Sequence, residues 1–415
     1  METRVLPASD EALTPPGAAA LGAERRDSDP GRDRLTMSVE PLLAEARRAA
    51  DDKERLGRAF DEWLKRNFEG DSRRKFGQEL WRVRHRELPR LRTLFFTELP
   101  EAKTLVPWKR SRGPSDPQPL RLLETAVKSG DPVKRFEATR DLSLAFFFCW
   151  IITDAEKFGI ASVKEWGGNE RRYHSPARHA LSFLRRNKVV QPPDRKINVR
   201  TFHDQANHNR CLGIKLEKNE WFLEPPAGEW LERQTDANLV TLECEPQPVR
   251  ALLVVRRKGI MQTIAKMFLQ GFSNPLSVPD RRGVRFAFRN REEFEAGVEH
   301  VWKRLSTNGT AQKRHRALSD LPINPYAAPN LVMGKDMAKY GEYWEIEIQY
   351  LLATQHVDLL YSTGEENSLL YHRRQYSVER GLFQQIFPPE LYGVDWSSPE
   401  VQAALDRSVV KSLRW

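Results

Sequence analysis

The stretch "VVRRKGIMQTIAKMF", Val254 to Phe268, decides how the C-terminal half of this 415-residue chain is read. A β-branched run ends in Arg256, Arg257 and Lys258, and Gly259 opens a helical run that carries Lys266. A few residues later "VPDRRGVRFAF", Val278 to Phe288, is strand-like but interrupted by Asp280, Gly283 and Arg285. Side chains alternate along a strand, so Arg256 and Lys258 leave it on the same side, and Lys266 follows about two turns into the helix. Three cations converging there suit a triphosphate. The plainer alternative is a strand end that finishes in solvent. A carboxylate at Asp280, beside such a cluster, suits a Mg²⁺ ion bridging phosphates. Gly283 permits close approach of backbone or ligand, and Arg285 faces the same side.

Outward from this stretch the texture is that of strands alternating with helices. "RGVRFAF" leads into "NREEFEAGVEHVWKRL", Asn290 to Leu305, in which Phe294, Val298, Val301 and Leu305 share one face. "APNLVM" (Ala328 to Met333) and "YWEIEIQYLLA" (Tyr343 to Ala353) are two further strand candidates, with helices expected to the C-terminus. In "EIEIQY" the alternation puts Glu345, Glu347 and Gln349 on one face and Ile346 and Ile348 on the other. Glu347 is then a candidate second carboxylate for a magnesium-dependent phosphoryl transfer.

The N-terminal half reads differently. Residues 1–36 are rich in proline and small residues and are expected to be a disordered tail. Residues 37–247 read as a mostly helical, basic region, regulatory or RNA-binding, with the boundary at the proline-flanked "EPQPVR" near Gln247-Pro248. Leu56, Phe60, Leu64 and Phe68 fall at steps of four, one helical stripe. Arg73 to Arg92 holds eight Lys or Arg against two Glu, with Trp81 and Leu88 between them. Both a nucleic-acid-facing helix and an amphipathic helix with a solvated basic face fit it. "LSLAFFFCWII", Leu142 to Ile152, is too short for a bilayer, which takes about 20 residues, and reads as a buried helix. Short strand-like pieces are expected between Thr201 and Glu245. The fold class is therefore α+β: a mostly helical N-terminal region, then a mixed sheet flanked by helices over 248–415.

A net charge of +10 favours an anionic partner without naming it. Three cysteines (Cys149, Cys211, Cys244) stand far apart without CxxC spacing, which predicts neither a disulfide framework nor a structural zinc, and a reducing cytoplasm. Neither a secretory leader nor a membrane anchor is expected.

In this order the motifs resemble the synthetase domain of the RelA/SpoT family, enzymes that make guanosine tetra- and pentaphosphate alarmones. The family's R-x-K strand and following helical Lys are matched by Arg256, Lys258 and Lys266, and its D-x-x-G-x-R by Asp280, Gly283 and Arg285. Its acceptor loop lies over "NPYAAPNL", with Tyr326 kept. Its E-x-Q with a later His is matched by Glu347, Gln349 and His356. The resemblance runs from about Ala251 to Arg374. Three departures fall towards the acceptor: Ala327 replaces an Arg, Asn330 a His, and Leu351-Leu352 an Arg.

The resemblance implies a nucleotidyltransferase-like sheet and transfer of the β,γ-diphosphate of ATP to a ribose 3′-hydroxyl of GDP, GTP or the 3′ end of tRNA. It implies Asp280 and Glu347 as Mg²⁺ ligands, with Glu347 also drawing the acceptor proton. Arg256, Lys258, Lys266 and Arg285 would bind ATP, and Tyr326, Asn330, Gln349 and His356 the acceptor. The basic segments Arg73–Arg92 and Arg171–Arg186 suit a tRNA acceptor. The family's alarmone hydrolase is not expected. His179 and His203-Asp204 have a suggestive spacing, but they sit in polar surroundings with too little chain for the remaining helices. The alternative is a nucleotide- or nucleic-acid-binding sensor whose synthetase-like domain turns over weakly.

Overall fold

The computed structural model describes residues 38–68, 72–105, 119–165, 182–205, 210–257, 259–272, 278, 282–309, 311–315, 334–340, 344–361 and 367–413. It is a mixed α+β molecule.

The N-terminal helices form where the apolar stripes were read. In the helix Lys53–Asn67 the Asp52 carboxylate accepts hydrogen bonds from the Glu54 and Arg55 amides at 3.0 Å, capping the first turn. Leu56, Phe60 and Leu64 are buried along it, and Phe68 closes its end. The Phe-rich run lies inside the helix Pro132–Glu165, buried from Leu142 through Cys149. A stretch of helix buried all round must be wrapped, and this helix is packed by the helices Ser72–Arg82 and Pro119–Lys128. No helix among the described residues is long and apolar enough to cross a membrane.

The basic segment is two helices, Ser72–Arg82 and Leu88–Phe95, joined by a π turn at Val83–Glu87. Phe76, Leu80, Val83, Leu88, Leu91 and Phe95 are its buried side. Some of its cations turn inward: Arg82 lies 5.5 Å over the Phe148 ring and pairs with Glu87, and Arg84 Nε is 3.2 Å from the buried Asp141. Arg73, Arg74, Arg86 and Arg90 stay exposed.

Nine strands make one sheet among the described residues: β1 Gln191–Asp204, β2 Cys211–Lys215, β3 Trp221–Leu223, β4 Trp230–Leu242, β5 Val249–Arg257, β6 Arg282–Phe288, β7 Ala311–His315, β8 Gly334–Tyr340 and β9 Trp344–Leu352. Their order is β3-β2-β1-β4-β5-β6-β9-β8-β7. All neighbours are antiparallel except β6 and β9, which are parallel.

Two expectations need correcting. The short strand-like pieces expected between Thr201 and Glu245 fall on β2, β3 and β4, but β4 is long, β1 before them was not expected, and all four are continuous with the sheet that follows. The expected boundary at Gln247-Pro248 lies between β4 and β5, which pair from Asn238↔Leu253 to Leu242↔Val249. β1, "QPPDRKINVRTFHD", looks like a polar loop because its outward residues Lys196, Asn198 and Arg200 are charged or polar, while Ile197, Val199, Thr201 and His203 are buried. The pairing of β1 with β4 over eleven registered positions overrides that composition. β7 and β8 have no counterpart among the expected strands, and the expected strand at 328–333 lies outside the described residues.

Two layers cover the sheet. The helix Arg291–Thr307 packs on the face holding Val284, Phe286, Phe288, Ile346, Ile348 and Tyr350. Its Gly297 lets it sit directly on β6, because a Cβ there would collide with the Phe288 ring. The helix Ala353–Tyr361 packs on the opposite face, against Leu252 and Ala287. The helix Ile260–Gln270, following β5, instead joins a large helical core shared by the N-terminal helices and by the C-terminal helices Ser368–Ser377, Leu382–Ile386 and Pro399–Leu413.

Candidate active site

The parallel pairing of β6 with β9 sets Gly283 opposite Glu347 and Arg285 opposite Gln349. On its other edge β6 pairs with β5, so Arg256 lies opposite Gly283. Three motifs separated by about ninety residues thus meet at one end of the sheet. Because Ile346 and Ile348 enter the core under the helix Arg291–Thr307, Glu347 and Gln349 take the other face, as the alternation predicts.

On that face Arg285, Gln349 and His356 form a buried cluster, 8%, 5% and 3% exposed. The guanidinium donates from Nε and Nη2 to Gln349 Oε1 at 3.1 and 2.9 Å. Its Nη1 lies 3.3 Å from His356 Nδ1. An arginine can only donate, so Nδ1 must accept and the imidazole proton sits on Nε2. Glu347 is 2% exposed and flanks the cluster.

His356 stands on the helix Ala353–Tyr361, which is fastened at several points. Ala353 and Val357 are buried against the sheet, and Asp358 Oδ1 accepts from the Cys211 amide at 3.0 Å. Arg233 lies 4.7 Å over the Tyr361 ring. The strands β1–β4 therefore hold one side of this helix while the site holds the other.

The remaining candidates are placed unevenly. Lys266 is half-buried on the helix Ile260–Gln270, whose apolar side enters the helical core. Arg256 is located by its backbone register. Lys258, Asp280, Tyr326, Asn330 and His179 lie outside the described residues. His203 does not sit in a polar loop: it is buried in β1, 3.0 Å from Thr201 Oγ1 and edge-on to Tyr361. Burial pushes the Cys211 thiol up to about 12 and Cys244 to about 11, which leaves both protonated and unreactive at neutral pH. The spacing of Glu347, Gln349 and His356 pointed to the cluster. Asp358 and Arg233, which brace it, carried no signal in the sequence, because their partners, Cys211 and Tyr361, lie far from them along the chain.

No protein-family model, curated protein or solved structure matches this chain.

Burial first, and then the adjacent Arg285 cation, push His356 down to about 3. In the unfolded chain an imidazole protonates near pH 6.5. Between those values the unfolded state binds a proton that the folded state does not. His356 therefore leaves stability unchanged above pH 6.5 and lowers it below, by up to about 1.4 kcal/mol per pH unit, until about pH 3. Urea unfolding of His356→Asn from pH 7 to 4 should show a shallower loss of stability than wild type. An equal slope would assign the acid lability to other groups.

Proposed function

We propose that the chain is a magnesium-dependent pyrophosphokinase that moves the β,γ-diphosphate of ATP onto the ribose 3′-hydroxyl of a guanine nucleotide or of tRNA. The observation that carries this reading is the register that gathers Arg256, Gly283, Glu347, Arg285 and Gln349 at one sheet end. Phosphoryl transfer needs charge neutralisation, in-line positioning and an activated oxygen. Arg285, held rigid by its neighbours, supplies a fixed cation for the phosphates. In the transfer the acceptor 3′-oxygen forms a bond to the β-phosphorus, the bond from that phosphorus to the α-phosphate bridging oxygen breaks, and AMP leaves with the electron pair. The acceptor proton passes to Glu347. A hard carboxylate oxygen at Glu347 fits Mg²⁺, and Asp280, two residues before β6 begins, is the second ligand of this reading. Bound there, the ion would neutralise phosphate charge.

Incubation of the full chain with γ-labelled ATP and Mg²⁺, against GDP, GTP, ATP and bulk tRNA in parallel, tests it. Label should pass to GDP or GTP, or to tRNA. Label in none of the four would overturn the enzyme reading. The near-complete burial of Arg285 favours, as a second reading, a sensor that binds nucleotide with little turnover. That sensor would bind ATP in the same incubation and transfer no label.

A further inference from the structure

We propose that His356 is a positioning residue, which with Gln349 fixes the plane of the Arg285 guanidinium so that its charge is presented to the phosphates of ATP. This inference rests on the phosphate-transfer reading and gives His356 a role different from acceptor binding.

The geometry carries it. A guanidinium is planar, and two acceptors on different edges fix both its tilt and its rotation. Gln349 Oε1 takes the Nε and Nη2 edge, at 3.1 and 2.9 Å, and His356 Nδ1 takes Nη1 from the other side, at 3.3 Å. Gln349 comes from β9 and His356 from the helix that follows, so the two constraints do not move as one unit. Both acceptors are uncharged. Neither of them, being neutral, offsets the cation's charge as a carboxylate in its place would.

The imidazole is kept in this state by its setting. It is 3% exposed and stays neutral at physiological pH, so Nδ1 remains an acceptor. Its helix is held from behind by the bond from the Cys211 amide to Asp358 and by Arg233 over Tyr361. Those contacts come from β2 and β4, outside the stretch that resembles the synthetase family. The added strands thereby gain a purpose: they brace the helix that aims Arg285.

The test is calorimetric titration of Mg·ATP into five full-length proteins: wild type, His356→Leu, His356→Asn, Arg285→Gln and the double variant of His356→Leu with Arg285→Gln, each checked by thermal unfolding. Losing an acceptor for a buried cation costs about tenfold to a hundredfold in affinity if that cation meets the ligand. His356→Leu should weaken ATP binding by about that much in the wild-type background and by less than about twofold when Arg285 is already Gln. His356→Asn, whose amide oxygen can occupy the place of Nδ1, should recover most of the loss. An equal loss from His356→Leu in both backgrounds, or no recovery in His356→Asn, would overturn the positioning role while leaving the phosphate site intact. A wild-type protein that binds no ATP would overturn both.

Discussion

Glu347→Gln should lower the proposed diphosphate transfer by two to three orders of magnitude while the protein stays folded. Gln keeps the volume and one carbonyl oxygen of Glu347 but removes its negative charge. Two effects then add. A neutral amide is a poor Mg²⁺ ligand, and it cannot take the proton from a 3′-hydroxyl. A lost metal ligand alone costs several kcal/mol of transition-state stabilisation, and each 1.4 kcal/mol or so is tenfold in rate. The position is favourable for a clean result, because Glu347 is flanked in the sheet by Ile346 and Ile348, which anchor β9 through the opposite face. Label transfer at saturating ATP, with thermal unfolding of the same preparation, measures it. A folded variant keeping more than about a tenth of the wild-type rate would mean that the chemistry lies elsewhere.

The largest effect on stability is expected far from that site. Asp141, with its side chain 4% exposed, accepts from Arg140 Nε at 3.0 Å and is ion-paired with Arg140 Nη2 at 3.0 Å and with Arg84 Nε at 3.2 Å. Arg140 is 1% exposed and spans to the C-terminal helices, reaching the Ile386 carbonyl at 3.3 Å and the Tyr392 hydroxyl at 3.2 Å. Its guanidinium lies 5.4 Å over the Phe387 ring. Removing the carboxylate leaves a buried cation without that anion, which costs about 3–5 kcal/mol. Asp141→Ala should therefore lower the denaturant midpoint by that equivalent and raise amide exchange in the helices Leu382–Ile386 and Pro389–Tyr392, which Arg140 ties down. Replacing Asp141 and Arg140 together by Leu and Met should recover part of the loss, since neither charge then stays buried alone. A cost below about 1 kcal/mol for Asp141→Ala would show that the aromatic and carbonyl contacts hold Arg140 unaided.

These two outcomes would bear on how the halves of the chain relate. The C-terminal helix Pro399–Leu413 meets the N-terminal helices directly, with Ser408 Oγ accepting from the Glu98 amide at 2.8 Å and Lys411 pairing with Glu98 at 2.8 Å. The helical region is thus built from both ends of the sequence. Charge reversal at Arg84 would test this core before it tested any nucleic-acid contact, because Arg84 is spent on Asp141. Arg86 is the better probe of an external partner, being exposed.

By itself, the sequence determined the elements whose pattern is local. The stripe at Leu56, Phe60 and Leu64, the buried helix around Phe146 to Phe148, the helix face of Phe294, Val298, Val301 and Leu305, and the alternation across Glu347 all depend on neighbours within a few residues. So did the order of charged motifs, which nominated Arg285, Glu347, Gln349 and His356 together. Tertiary structure alone decided which strands pair. β1 carries no clear strand pattern until β4 lies beside it, because a sheet's hydrogen bonds join residues distant in the chain and tolerate a polar outer face. The same reason hid the bracing of the helix Ala353–Tyr361 by Cys211 and Arg233, and the parallel pairing that sets Gly283 beside Glu347. Long-range pairing leaves almost no trace in local periodicity, so the members of the Arg285, Gln349 and His356 cluster could be named from the sequence while their contacts could not.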